Sequence, residues 1–245
     1  MNLIIIQARL GSTRLPKKIL KKLGNISILE HVVQRALRSK IADKIILAIP
    51  DDLDAFIIED CVRPYPVSIY KGSENDVLSR YYFASKKFNG ENICRITSDC
   101  PLIDPLIIDE AFKKYFELGA DCYLANTCPP DEASFPDGMD IEIFPLSFLN
   151  QAFLEEKDRN RKEHVTFQFW QDEKYKSFLY KSRTKYPEYR LTVDYPKDLV
   201  NLNLLACKYC PNGEEITLDQ INEAIMNEKI DSLFIDKEKR NLGWK

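Results

Sequence analysis

No stretch of this sequence is apolar for long enough to cross a bilayer. The N-terminal run Leu3-Ile4-Ile5-Ile6 soon reaches Arg9 and Arg14, too short for a membrane span or the core of a signal peptide. Charge of one sign is lacking too: 35 Lys plus Arg stand against 38 Asp plus Glu, a net charge of -3. No general field therefore favours nucleic acid or an anionic membrane surface, and anionic ligands must be met locally. An even set of cysteines is also missing. The seven, at positions 61, 94, 100, 122, 128, 207 and 210, are scattered and sit mostly in apolar runs, which suits reduced thiols in the cytoplasm rather than a disulfide framework. Cys207 and Cys210 have metal-ligand spacing, but no second pair or nearby His completes four ligands, so packing is favoured over zinc. Two phosphate-binding signatures are absent: there is no G-x-x-x-x-G-K-[ST], and no G-x-G-x-x-G follows any strand. Internal repeats and low-complexity tracts are absent as well.

What is present is an alternation of strands and helices. The hydrophobic set makes up 44% of 245 residues, enough for one α/β domain with a small appended lobe. Leu3 to Ala8 and Lys44 to Ile49 read as parallel strands buried on both faces. Between them Ile28, Leu29, Val32, Val33, Ala36 and Leu37 recur at helical spacing, behind a capping box of Ser27 and Glu30. The pattern continues with a helix from Asp54 to Cys61, a strand from Val67 to Tyr70, a helix from Glu74 to Lys87 and a strand from Ile93 to Ile96. Asp104-Pro105 caps a helix ending at Gly119, and a strand follows at Cys122 to Ala125. The segment from Asn126 to Gly138 has three prolines and no apolar period, and reads as a loop over the site. Beyond it the order changes: a strand from Met139 to Phe144, helices to about Trp170, strands Ser177 to Tyr180 and Tyr189 to Val193, then two helices, one spanning Asp198 to Cys210. The expected class is α/β, a Rossmann-like doubly wound and mostly parallel sheet in one domain over 1–245, with 126–190 forming a lobe.

The first strand ends in Gln7-Ala8-Arg9-Leu10-Gly11-Ser12-Thr13-Arg14-Leu15-Pro16-Lys17-Lys18, a loop with the chemistry of phosphate binding. Gly11 permits close backbone approach, Ser12 and Thr13 offer hydroxyls, and Arg9, Arg14 and Lys18 neutralise a polyphosphate at the carboxyl edge of a parallel sheet. A solvated basic connection is the alternative.

This loop, and ARLGSTRLPKKIL within it, resembles the opening signature of the 3-deoxy-manno-octulosonate and acylneuraminate cytidylyltransferases, with the spore coat polysaccharide SpsF branch as the nearest pattern. Sugar-1-phosphate nucleotidyltransferases usually carry a glycine pair where Ala8-Arg9 stands. The likeness extends to Lys71-Gly72-Ser73-Glu74-Asn75-Asp76-Val77-Leu78, to Thr97-Ser98-Asp99-Cys100-Pro101, to Phe135-Pro136-Asp137-Gly138-Met139-Asp140-Ile141-Glu142, to Arg161 through Thr166, and to Leu191 through Leu199. Lys17 departs from it, since many relatives have glycine there.

The resemblance implies a nucleotide-diphospho-sugar transferase type of fold and Mg2+-dependent transfer of CMP from CTP to a sugar or sugar-like acceptor, for surface polysaccharide or glycan biosynthesis. Arg9, Lys18, Asp99 and Asp194 would be catalytic, the two aspartates as metal ligands. Ala8, Gly11, Ser12, Arg14, Gly72 and Ser73 would complete the nucleotide site, and Asp137, Asp140, Glu142 and His164 would face the acceptor. Asp99 and Asp194 both follow expected strands and can share one sheet edge, where magnesium needs few carboxylates besides phosphate oxygens and water. An Asx-turn for Asp99 and helix capping for Asp194 are the plain alternatives. Asp104 reads as an N-cap only, which Asn would fill equally well. His31 reads as solvated, and Arg183 and Arg190 as solvated cations that could otherwise read an acceptor anion. A homodimer is expected through Met139 to Arg190, where Phe167, Phe169 and Trp170 read as an exposed aromatic run. Two rivals are a glycosyltransferase using an intact nucleotide sugar and a non-catalytic nucleotide-binding protein.

Overall fold

The computed structural model describes residues 1–235. Its centre is a seven-stranded sheet of β1 (Asn2–Gln7), β4 (Lys44–Pro50), β5 (Ser68–Gly72), β6 (Asn92–Thr97), β7 (Tyr123–Ala125), β8 (Glu142–Pro145) and β9 (Ser177–Leu179), in the order β5-β4-β1-β6-β8-β7-β9. Only β8 runs against the rest: it pairs antiparallel with β6 and β7, while β7 and β9 are parallel. A short hairpin of β2 (Lys22–Leu23) and β3 (Ile26–Ser27) stands apart from it. The doubly wound, mostly parallel reading therefore holds. Leu3, Ile5, Ile46 and Ala48 face one core and Ile4, Ile6, Ile45 and Leu47 the other, so alternate side chains of each central strand are buried on opposite faces.

The helices are α1 (Ile28–Ala36), α2 (Ala55–Val62), α3 (Val77–Lys87), α4 (Pro105–Glu117), α5 (Leu146–Glu155), α6 (Arg159–His164), α7 (Phe167–Gln171), α8 (Pro196–Tyr209), α9 (Leu218–Asn227) and the short α10 (Asp231–Phe234). Ser27 and Glu30 form the expected capping box on α1, with Glu30 N donating to Ser27 Oγ at 3.2 Å and Ser27 N to Glu30 Oε2 at 2.8 Å. The segment 126–190 lends β8 and β9 to the main sheet.

Several local expectations give way. Tyr189 to Val193 is not a strand: it is an extended strap, with isolated bridges of Arg190 to Asp137 and of Tyr189 to Ile235. The expected strand over Met139 to Phe144 is shorter and later, beginning at Glu142. His31 is fully buried, its Nε2 bonded to the Leu23 carbonyl at 2.7 Å, because α1 packs that face against the β2–β3 hairpin. Phe167 and Phe169 are buried, Phe169 among Phe144, Phe148 and Tyr175 and Phe167 against His164 and Trp170, so they present no exposed run. Asp104 caps α4 through Leu106 N and also accepts Leu218 N, each at 2.8 Å, tying α4 to the start of α9. Along α8 the two cysteines part: Cys207 is exposed and Cys210 buried.

Candidate active site

Parallel strands point their carboxyl ends to one edge, and there the loops after β1 and β6 meet. Gln7 and Thr97 are register partners, so the basic loop 8–18 and the loop holding Asp99 start side by side. The strap then brings in Asp194: Leu191 N donates to Asp137 O at 2.7 Å and Val193 N to Asp99 O at 3.0 Å. Asp198, in the first turn of α8, fixes the approach by accepting Asp194 N at 2.9 Å and Tyr195 N at 2.8 Å. Asp198 thus fills the capping role open to Asp194, leaving the Asp194 carboxylate free to face the loop.

Lys18 lies between the two carboxylates. Its Nζ is 2.8 Å from Asp99 Oδ2 and 2.9 Å from Asp194 Oδ1. Asp194 is reached as well by Arg14 at 3.2 Å and Arg190 at 3.0 Å, so Arg190 is no solvated cation. Burial works against charge on Lys18, but Asp99 and Asp194 outweigh it and raise its pKa. Burial likewise opposes the Asp99 carboxylate, yet Lys18 prevails and lowers its pKa to about 2. Lys17, at the position where glycine is usual in the similar pattern, adopts φ 54° and ψ 35°, the left-handed region glycine enters freely. The turn survives the substitution, and it is the turn that swings Lys18 inward.

Two hard oxygen ligands, one after β6 and one on the strap, thus converge on one cation position, the donor set magnesium accepts when phosphates and water complete its shell. Among the described residues no group of three or more His, Cys, Asp or Glu could hold a metal by itself. The arrangement fits an ion that arrives with a polyphosphate.

A cleft of about 290 Å³ opens here, and Ala8, Arg9, Gly11, Ser12, Arg14, Lys18, Asp99, His164 and Asp194 all line it. Arg9 reaches across to Glu163 at 3.2 Å. His164 stacks on Phe167 with ring centroids 4.3 Å apart, and burial, then Arg95, lowers its pKa, which keeps the imidazole neutral. Other expected residues do not line the cleft. Gly72 packs beneath Arg80, where a Cβ would stand 3.0 Å from Arg80 Cγ, and Ser73 Oγ accepts Asp76 N at 3.1 Å. Asp137 anchors the strap, its Oδ2 3.3 Å from Thr192 Oγ1. Asp140 is half-buried, and its charge and that of Asp137 add to the burial that pushes the Cys100 thiol pKa up. Glu142 does not face an acceptor at all: β8 lies between β6 and β7, so its carboxylate is buried against Arg95 and accepts the Tyr123 hydroxyl at 3.1 Å. The loop 126–138 does not line the cleft either; Phe135 lines a separate groove of about 740 Å³ beside β9.

The cleft also takes in Gln7, Val77, Thr97, Ser98 and Glu163, which lie within the family-like motifs but have no role of their own assigned from the sequence, and Arg80, which lies outside all of them. Arg80 carried a signal: it falls three positions after Val77 and four before Ala84, on the apolar stripe of α3, where a charge is out of place.

The family model described as Cytidylyltransferase matches residues 3–200. The chain is similar to uncharacterized protein MJ1063 of Methanocaldococcus jannaschii, 34% identical over 200 residues, covering 79% of this chain and 78% of that protein. It is also similar to the spore coat polysaccharide biosynthesis protein SpsF of Bacillus subtilis, 30% identical over 217 residues, covering 83% and 85%. Among solved structures, a cytidylyltransferase from Leptospira borgpetersenii superposes with a TM-score of 0.86 at 31% identity, over 97% of this chain and 98% of that one.

Proposed function

Because the chain belongs to the cytidylyltransferase family and is a nucleotidyltransferase, we propose that it transfers CMP from CTP to a sugar or sugar-like acceptor in the cytoplasm, for polysaccharide or glycan biosynthesis. The observation that carries this reading is Lys18 held between Asp99 and Asp194 in a cleft that Arg9 and Arg14 also line. An acceptor oxygen attacks the α-phosphorus and pyrophosphate departs. Negative charge gathers on the phosphates, so positioning and electrostatics supply most of the acceleration. Magnesium held by Asp99 and Asp194 would supply Lewis-acid stabilisation of that charge. Lys18 and Arg14, fixed by the same carboxylates, stand ready to donate to phosphate oxygens. Arg9, held by Glu163, closes the other wall, and the neutral His164 ring offers a hydrogen-bond partner to an acceptor hydroxyl.

The kinship with SpsF supports a saccharide acceptor. The test is pyrophosphate release from CTP with magnesium across a panel of sugars, sugar acids and sugar phosphates. Turnover of intact nucleotide sugars without pyrophosphate release would instead mark a glycosyltransferase, and nucleotide binding without turnover over the whole panel a non-catalytic protein. A homodimer through the 139–190 half belongs to the same proposal. With Phe167 and Phe169 buried, its apolar contacts fall to α5, where Leu154 is 71% exposed beside Phe153. Light scattering at micromolar concentration gives the answer.

A further inference from the structure

Arg80 is a cation with no part in the chemistry above. It is 2% exposed, and its buried Nε and Nη1 have no hydrogen-bond partner among the described residues. Burial lowers its pKa, Arg9 pushes the same way, and Glu74 and Asp76 pull back only through space. A guanidinium is donor-only, and leaving one uncompensated in the interior is costly unless a ligand brings the acceptor. Arg80 is also part of the cleft wall, beside Val77 and Gln7. Room for its stem depends on Gly72, where a Cβ would come within 3.0 Å of Arg80 Cγ and 2.9 Å of the Tyr70 ring.

The position of Arg80 along the sheet separates it from the phosphate machinery. Strand order across the edge is β5-β4-β1-β6; α3 packs on β4 and β5, whereas Asp99 follows β6 on the other side of β1 and draws Lys18 and Asp194 with it. The cleft joins the two positions, so a nucleoside triphosphate with its phosphates at Lys18 and Asp99 would meet Arg80 by extending across β1. We propose that Arg80 reads the nucleobase, donating to the N3 and O2 edge of cytosine. This rests on the cytidylyl-transfer reading. The edge tells cytosine from uracil: cytosine presents two adjacent acceptors, whereas uracil presents one acceptor and an N–H, which a donor-only group rejects.

The experiment measures binding of CTP, UTP and inorganic tripolyphosphate, each with magnesium, to the wild type, Arg80→Met and Gly72→Ala, together with melting of the unliganded proteins. The wild type should prefer CTP over UTP at least tenfold. Arg80→Met should bring that ratio within about threefold, leave tripolyphosphate affinity unchanged, and melt no lower than the wild type, because it deletes an uncompensated buried charge. Gly72→Ala, which crowds the Arg80 stem, should lose selectivity in the same direction. A wild-type preference that survives in Arg80→Met overturns the assignment. So does an equal loss of CTP and tripolyphosphate affinity, which would make Arg80 a phosphate ligand, or a lowered melting point with intact selectivity, which would make it structural. A wild type that binds CTP and UTP alike removes base reading together with the cytidylyl reading it rests on.

Discussion

Asp104 shows how one residue can be read correctly and still incompletely. The N-cap was legible from Asp-Pro, and the first oxygen does cap α4, but the second accepts Leu218 N from a residue 114 positions away. An amide has a single acceptor oxygen, so Asp104→Asn leaves one buried N–H facing an NH2 group. We expect a loss of about 1–3 kcal/mol, read as a lowered urea midpoint, with CTP turnover unchanged at low temperature. His31 errs in the opposite direction, buried where the local pattern suggested solvent. Burial lowers its pKa from 6.5 to about 4, against the opposing pull of its bond to the Leu23 carbonyl. The folded state thus binds fewer protons than the unfolded chain between those values. This contribution to stability is whole above pH 6.5 and drains as pH falls toward 4, by about 3 kcal/mol at 1.36 kcal/mol per pKa unit. Urea unfolding from pH 7 to pH 4 should be visibly flatter for His31→Gln, and parallel curves for the two proteins would refute the assignment.

At the scale of elements, the strap from Tyr189 to Asp194 decides whether the site exists. Its residues have strand-like composition, but they find single bridges rather than a ladder, because the pairing surface is the loop around Asp137 and not a strand. Gly138 makes that close approach possible. It has φ 102°, and a Cβ there would lie 2.7 Å from the Leu191 carbonyl carbon and 2.8 Å from its oxygen. Gly138→Ala should cost more than about 1 kcal/mol through backbone strain alone. It should also depress CTP turnover in protein that remains folded, since the strap carries Asp194. Normal turnover at a lowered melting temperature would show that the strap tolerates displacement without disturbing Asp194.

Across the whole molecule, the site is assembled from three distant stretches. Lys18 meets Asp99 across 81 positions and Asp194 across 176; the pairing of β1 with β6 makes the first contact short, and the docking of the strap on Asp137 and Asp99 makes the second. Asp99→Asn and Asp194→Asn should each reduce CTP turnover by a hundredfold or more while circular dichroism stays native, since Asn preserves size but not the charge a magnesium ligand needs. In the wild type, CTP should raise the melting temperature with magnesium, and chelation by EDTA should remove most of that shift. Full turnover by either variant at limiting magnesium would sink the two-aspartate site.

The sequence by itself determined the α/β class, the order of the first half and the basic loop. Those follow from local periods of 2 and 3.6 residues, from caps, and from a contiguous run of phosphate-binding residue types. It also named the two aspartates, through the resemblance of their surrounding motifs; Asp99 does follow a strand, but the strand expected before Asp194 is instead the strap. Only the tertiary structure decided the rest, since each such contact joins residues that no local pattern relates. It decided that Glu142 is a core residue paired with Arg95 instead of an acceptor ligand, because β8 inserts antiparallel between two strands. It decided that Phe167 and Phe169 are buried, because α7 lays Phe169 on the hydrophobic cluster around Phe144 and Phe167 against the His164 ring. And it decided that a mid-helix arginine becomes part of a cleft wall, because α3 packs on β4 and β5 with Arg80 on its buried stripe, and the cleft that Arg80 lines reaches Gln7 at the end of β1.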